Sequence, residues 1–155
     1  MRLENRVAIV TGGARGIGEG ISRCLADEGA RIAVLDIDGE AAQEMASELG
    51  SDHLGMAVDI SQEDTAAVAI DKVAESFGRV DILINNAGGG NRKTSNAYGP
   101  PFTRVEQEGW DEQMAINLRT TFAATKAALP HLKQRDQGSI VNISSVSGLD
   151  RKSVV

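Results

Sequence analysis

Short runs of consecutive apolar residues recur along the chain, separated by stretches where apolar positions return every three or four residues. RVAIV (residues 6–10) is the first β-branched run and opens into TGGARGIG. Ile17, Ile21 and Leu25 then recur at i, i+4, which predicts one face of a helix that Gly29 stops. RIAVL (31–35), closed by Asp36, predicts a second buried strand, and residues 39–49 read as a helix. HLGMAVDI (53–60) predicts a third strand, interrupted by Gly55. Ser61, with Asp64 three positions on, suggests a variant capping box for a helix running to about Phe77 and ended by Gly78. VDILIN (80–85) is the fourth strand signal. Trp110, Met114, Leu118 and Phe122 repeat at i+4, which predicts a long helix to about Pro130, and SIVNIS (139–144) is the fifth strand signal.

Strands that are apolar on consecutive positions, alternating with helices, imply a parallel sheet covered on both sides. With right-handed crossovers this is an α/β, doubly wound, Rossmann-like sheet of about five strands. The 155 residues suffice for one domain with a real core. The GGGNRKTSNAYGPP stretch (88–101) is long for a connector, which favours a functional loop over an idle one.

Composition narrows the classes. A net charge of −6 and scattered Lys and Arg argue against a nucleic-acid surface. The apolar runs are too short to cross a bilayer, and the first strand signal starts close to Met1, leaving no room for a targeting peptide. The single cysteine, Cys24, reads as a plain buried thiol in a reducing compartment, so the cytoplasm is the default. His53 and His131 have no metal-ligand spacing and read as surface residues, and no metal is expected.

The candidate chemistry gathers where the strand signals end. Gly12, Gly16 and Gly18 lie between a strand and a helix. Without Cβ atoms they permit a tight turn and close approach to a pyrophosphate, which the helix N-terminus then receives. The spacing is G-x-x-x-G-x-G, and no Lys-Ser/Thr follows as in a P-loop. Glycines serving only a tight turn are the plain alternative. Asp36, eighteen residues after Gly18, can accept hydrogen bonds from adenosine ribose hydroxyls and repel a 2′-phosphate, which favours NAD over NADP. Arg15 is a counter-signal, since a guanidinium can hold a 2′-phosphate; its alternative is a solvated surface charge.

TGGARGIG, the pair Asp59 and Ile60, NNAG (85–88), Asn117 in the long helix and ISS before VSG resemble, in order and placement, the short-chain dehydrogenase/reductase family. The resemblance covers residues 5 to 148. It implies that Gly12, Arg15, Gly16, Ile17 and Gly18 line the pyrophosphate. It places Asp59 and Ile60 beside the adenine, and Asn86, Ala87 and Gly88 along the adenosine ribose. It implies that Asn117 holds a water of a proton relay by locally breaking helix geometry; a solvated helix face is the alternative. It makes Ser145, rather than Ser144 or Ser147, the catalytic serine that polarises an alcohol or carbonyl substrate during hydride transfer.

One part of the family pattern has no match. The family's Tyr-x-x-x-Lys pair follows the fifth strand, where the lysine lowers the tyrosine pKa. The only tyrosine here is Tyr98, followed by GPPF. The sequence therefore reads as the dinucleotide-binding part of a longer, homo-oligomeric enzyme, incomplete at its C-terminus and not competent alone. Without the family's further strands and helix, SIVNIS becomes an exposed apolar edge and the helix over 110–132 carries an apolar patch. A non-catalytic dinucleotide-binding module or sensor is the second reading. A nucleotide-sugar or methyl-donor enzyme on the same sheet is a third, disfavoured by NNAG and the serine strand.

Overall fold

The computed structural model describes residues 1–89 and 102–145. Five strands, β1 (Val7–Thr11), β2 (Arg31–Asp36), β3 (Leu54–Ala57), β4 (Ile82–Asn85) and β5 (Ser139–Asn142), form one sheet in the order β3-β2-β1-β4-β5. All four pairings are parallel. The helices are α1 (Gly16–Asp27), α2 (Gly39–Leu49), α3 (Glu63–Phe77), α4 (Gln107–Met114) and α5 (Thr120–Leu132). A π-turn (Ala115–Arg119) joins α4 to α5.

Alternate residues of each strand feed opposite faces, so β1 contributes to two apolar layers. Val7 and Ile9 pack with Ile70 and Val73 of α3 and with Ala123, Ala124 and Ala128 of α5. Ala8 and Val10 pack with Ala42 and Met45 of α2, and with partly buried Ile21 and Leu25 of α1. This is the doubly wound architecture anticipated. Its strand order reverses between β1 and β4, where such sheets open a crevice at their carboxyl ends.

The amino ends of β1 and β4 are joined by a buried carboxylate. Asp81, fully buried, accepts the Val7 N–H through Oδ2 (2.9 Å) and the Arg6 Nη1 donor through Oδ1 (3.1 Å). Arg79 donates to both oxygens, from Nε at 2.7 Å and Nη2 at 2.6 Å. Burial pushes the Asp81 carboxyl up, but the bonds from Arg79, the Val7 amide and Arg6 outweigh it and hold the group below the usual aspartate value.

Several local expectations need correction. Strands β3, β4 and β5 are each shorter than their apolar runs, because pairing covers only Leu54–Ala57, Ile82–Asn85 and Ser139–Asn142. Ser61 does not cap α3. Its hydroxyl donates to Asp59 Oδ1 (2.6 Å), which also accepts the Ser61 N–H, and the N-cap is Gln62 with no side-chain cap bond. The end at Gly78 is as expected, with φ of 74° in the left-handed region.

Cys24 is exposed, because α1 turns Gly18 and Ser22 toward the sheet and leaves Cys24 on the outer face. His53 is not a simple surface residue: it is half-buried, and Nδ1 accepts the Ile32 N–H (3.0 Å). Burial lowers its pKa, consistent with a neutral ring acting as acceptor. His131 Nε2 lies 2.7 Å from Asp71 Oδ1, linking α5 to α3.

The Trp110, Met114, Leu118 and Phe122 stripe is helical and faces away from the core with all four side chains exposed, the apolar patch expected on this helix. The core side of α5 is built from Ala123, Ala124, Ala128 and Leu132 instead. Pro130 sits inside α5, which runs on to Leu132. Ile140, Val141 and Ile143 are likewise exposed, on and just past β5, one of the sheet's two edge strands among the described residues, as expected of SIVNIS. Among the described residues no helix is long and apolar enough to cross a membrane, and no group of three or more potential ligands could hold a metal.

Candidate functional site

The carboxyl ends of β1, β2 and β4 bring the glycine turn, Asp36 and the NNAG segment together. Thr11, the last residue of β1, is buried and organises the junction. Its Oγ1 donates to the Ile84 carbonyl (3.2 Å) and accepts the N–H groups of Asn86 and Ala87, both at 3.0 Å. Asn86 reaches back, Nδ2 donating to the carbonyls of Thr11 (3.0 Å) and Gly12 (2.9 Å). The chain after β4 is thus bonded directly to the turn after β1.

Gly18 leaves no room for a side chain where it packs onto that turn. A Cβ on Gly18 would lie 2.0 Å from the Gly12 carbonyl oxygen and 2.6 Å from Asn86 Nδ2. Gly12 and Gly16 have φ of 60° and 58°, which glycine adopts without penalty. Ile17 projects outward and is exposed. Arg15 is the N-cap of α1 and makes no side-chain cap bond, so the first turn presents its N–H groups without a side-chain acceptor. An anion fits there, and the missing Cβ atoms allow its close approach.

Two carboxylates tie this turn to the one after β2. Asp36 accepts the Ala14 N–H through Oδ2 (3.3 Å) and the Asp38 N–H through Oδ1 (3.1 Å). Asp38 accepts the Ala41 N–H through Oδ1 (3.1 Å), capping α2, and the Arg15 Nη2 donor through Oδ2 (2.6 Å). Arg15 is therefore neither a purely solvated charge nor turned toward Asp36.

The two residues expected beside an adenine, Asp59 and Ile60, follow β3. The Asp59 carboxylate is engaged by Ser61, and the Ile60 side chain is buried in the apolar layer under α3, so Ile60 offers its backbone rather than its side chain to the surface. On the opposite side, Asn117 lies within the π-turn. Its Oδ1 accepts the Gly89 N–H (2.9 Å), and Nδ2 donates to the Gly89 carbonyl (3.1 Å) and the Gln113 carbonyl (3.0 Å). The extra residue of a π-turn frees backbone groups from the helical ladder, a feature frequent at functional sites. A Cβ on Gly88 would lie 2.9 Å from Asn117 Oδ1, so the NNAG segment runs against this residue.

Ser145 follows β5 and is exposed. Ser147 and Tyr98 lie outside the described residues, as does the loop of 90–101. Two buried residues that sequence reasoning misses, Thr11 and Asn85, complete the junction. Asn85 Nδ2 donates to Thr125 Oγ1 (3.0 Å) on α5 and to Asn142 Oδ1 (2.8 Å) on β5. A polar doublet ending an apolar strand, Asn85-Asn86, is the signal that could have found it.

A family model described as short chain dehydrogenase matches residues 6–155. The chain is 40% identical over 147 residues to a D-threitol dehydrogenase of Mycolicibacterium smegmatis, covering 93% of this chain and 54% of that protein. It is 34% identical over 148 residues to the 3-oxoacyl-[acyl-carrier-protein] reductase FabG of Vibrio cholerae, covering 96% and 58% respectively. Among solved structures, a 3-ketoacyl-(acyl-carrier-protein) reductase from Brucella melitensis complexed with NADH superposes with a TM-score of 0.86 at 34% identity. That match covers 94% of this chain and 59% of the other. The chain thus spans somewhat over half the length of these relatives. With the glycine turn, the NNAG segment and the parallel sheet in register over nearly its whole length, the chain belongs to the short-chain dehydrogenase family.

Proposed function

We propose that the protein carrying this chain is an NAD-dependent oxidoreductase that moves hydride between the nicotinamide cofactor and an alcohol or carbonyl substrate. The observation that carries this reading is the opening of α1's uncapped N-terminus beside the Asp36 carboxylate, with Gly18 packed onto the Gly12 backbone. Gly12, Gly16, Ile17 and Gly18 present backbone to the pyrophosphate. Asp36 accepts from the adenosine ribose hydroxyls and disfavours a 2′-phosphate. Asp59 and Ile60 border the adenine, and Asn86, Ala87 and Gly88 line the ribose. NAD, when bound, supplies the hydride acceptor or donor.

On the substrate side, Ser145 donates a hydrogen bond to the substrate oxygen, and Asn117 orders a water in the proton path. The 155 residues contain no Tyr-x-x-x-Lys, so proton transfer at the substrate oxygen needs a group they do not supply. This chain by itself is expected to bind NAD⁺ without turnover. Calorimetric titration of the purified chain should give a Kd on the order of micromolar for NAD⁺ and binding at least about tenfold weaker for NADP⁺, the discrimination expected of a carboxylate facing the ribose. Binding of neither would reject the reading, and equal binding would reject the role given to Asp36.

The missing acid/base pair favours one other reading, a dinucleotide-binding module without catalysis. Reading the encoding DNA beyond the Val155 codon separates the two, since a Tyr-x-x-x-Lys downstream belongs only to the enzyme.

A further inference from the structure

Asp36 ends β2 and Asp38 stands two residues on, in the turn that follows, and each engages the glycine loop differently. Asp36 holds a backbone N–H of Ala14, whereas Asp38 holds the only cationic side chain of the TGGARGIG turn, that of Arg15. The two oxygens of Asp38 divide the work: Oδ1 caps α2 through the Ala41 N–H, and Oδ2 accepts from Arg15 Nη2 at 2.6 Å. Arg15 is 69% exposed at the mouth of the crevice, on the side where Asp36 would meet the adenosine ribose. A guanidinium released there is the natural partner for a phosphate on the ribose 2′-oxygen.

We infer that Asp38 is a cofactor-specificity residue: its carboxylate holds Arg15 against the β2–α2 turn and so withholds from NADP the cation that would otherwise receive its 2′-phosphate. Discrimination for NAD then has two parts. Asp36 opposes the extra phosphate directly, and Asp38 removes the group that would offset that repulsion. The inference rests on the dinucleotide-binding reading above. It deepens that reading by making Arg15, the residue that argues for NADP in the sequence, subordinate to a neighbouring carboxylate.

The pair is solvent-exposed on the arginine side, so its strength is modest and the selectivity it controls is correspondingly limited. Asp38→Asn keeps an oxygen to cap α2 but turns an amide N–H toward Arg15, donor against donor, and so releases the guanidinium. Asp38→Ser also caps α2 and is too short to reach Arg15, which provides a second variant if the first folds poorly.

The test is calorimetric titration of the 155-residue chain with NAD⁺ and with NADP⁺ at one ionic strength. The proteins are the parent, Asp38→Asn, Asp38→Ser, Arg15→Ala and the Arg15→Ala/Asp38→Asn double variant. Asp38→Asn and Asp38→Ser should each raise the NADP⁺-to-NAD⁺ affinity ratio about three- to fivefold, the upper end of the scale for one exposed ion pair. The double variant should lose most of that increase. Arg15→Ala alone should leave the NADP⁺-to-NAD⁺ ratio within about twofold, because the parent's guanidinium is already engaged.

An unchanged ratio in both Asp38 variants would overturn the inference while NAD⁺ binding by the parent kept the broader reading intact. An increase that survives in the double variant would assign the effect to the Asp38 charge alone and overturn the role of Arg15. A selective loss of NADP⁺ binding in Arg15→Ala would mean that Arg15 already serves the phosphate, and the inference would fail on that result too. A parent chain that binds neither dinucleotide would remove both readings at once.

Discussion

Gly18→Ala is expected to reduce NAD⁺ affinity by about ten- to a hundredfold, the equivalent of about 1.4–2.8 kcal/mol and within the scale of overpacking a closely packed backbone. The added methyl would sit 2.0 Å from the Gly12 carbonyl oxygen and 2.9 Å from its carbonyl carbon, neither of which can rotate away. Asn86 Nδ2, at 2.6 Å, can move only by giving up its bonds to Thr11 and Gly12. The first turn of α1 must therefore lift from β1, which moves the N–H groups proposed to receive the pyrophosphate. Overpacking of this kind costs about 1–3 kcal/mol, so the melting temperature should fall by several degrees as well. Gly20→Ala is the matched control. A Cβ at Gly20 meets nothing within 4 Å, and the position is exposed inside the same helix, so alanine should stabilise α1 by about 0.5–1 kcal/mol without loss of binding. Two alanines, two residues apart on one helix, should act in opposite directions. Equal NAD⁺ binding by both variants would show that the Gly12–Gly18 approach has no part in the site.

Asp81→Asn carries the largest expected loss of stability, about 3 kcal/mol in urea unfolding at pH 7, the lower end of the range for breaking a buried ion pair. The lower end applies because the partner side chains of Arg6 and Arg79 remain 30% and 32% exposed and recover some hydration. One amide oxygen can keep the Val7 N–H, but the amide nitrogen must then face guanidinium donors. The pH dependence has a defined sign. The folded pKa of Asp81 is held below its ordinary value of 3.8, so the unfolded chain takes up its proton first as the pH falls. The stabilisation is fully present above that value and is lost as the pH drops through the folded pKa. The parent should therefore lose stability below about pH 4 more steeply than Asp81→Asn does. Superimposable pH profiles for the two would assign the buried carboxylate no net electrostatic role.

Much of this architecture is legible without coordinates, and the reasons are local. The strands are continuous apolar runs and their ends carry glycine, aspartate or asparagine, so Gly39–Leu49 and the stop at Gly78 emerge from sequence alone. Periodicity reports an apolar face without saying what the face meets. The i+4 spacing of Trp110, Met114, Leu118 and Phe122 marks the helix and its exposed patch correctly; the sheet takes the alanine side of α5, where small residues let helix and strand approach. Cys24 lies on the outer face of α1 for the same reason, despite its apolar neighbours in sequence. Ser61 has a capping residue's identity, but Asp59 claims its hydroxyl first. Asp81 and Thr11 carry no signal of their own because what each does is contributed by distant residues. In sequence, Asp81 is one acid in a strand-start dipeptide, and Thr11 is one hydroxyl before a glycine pair. Of the site itself, the glycine turn, Asp36 and NNAG are legible as motifs, whereas the pairing of Arg15 with Asp38 requires the fold.

The Asp81 junction also has a kinetic consequence. β1 reaches β2 across a single helix, but Val7 and Asp81 lie seventy-four residues apart. Loop closure costs more for the longer span, so the β1–α1–β2 unit has the entropic advantage in forming early, with β4 docking afterwards. A contact made after the rate-limiting step leaves the folding rate alone and appears in the unfolding rate. Stopped-flow chevrons should therefore show Asp81→Asn unfolding much faster than the parent while refolding at nearly the same rate. A slowed folding arm would instead put β4 in the folding nucleus, and the two halves of the sheet would have to assemble together.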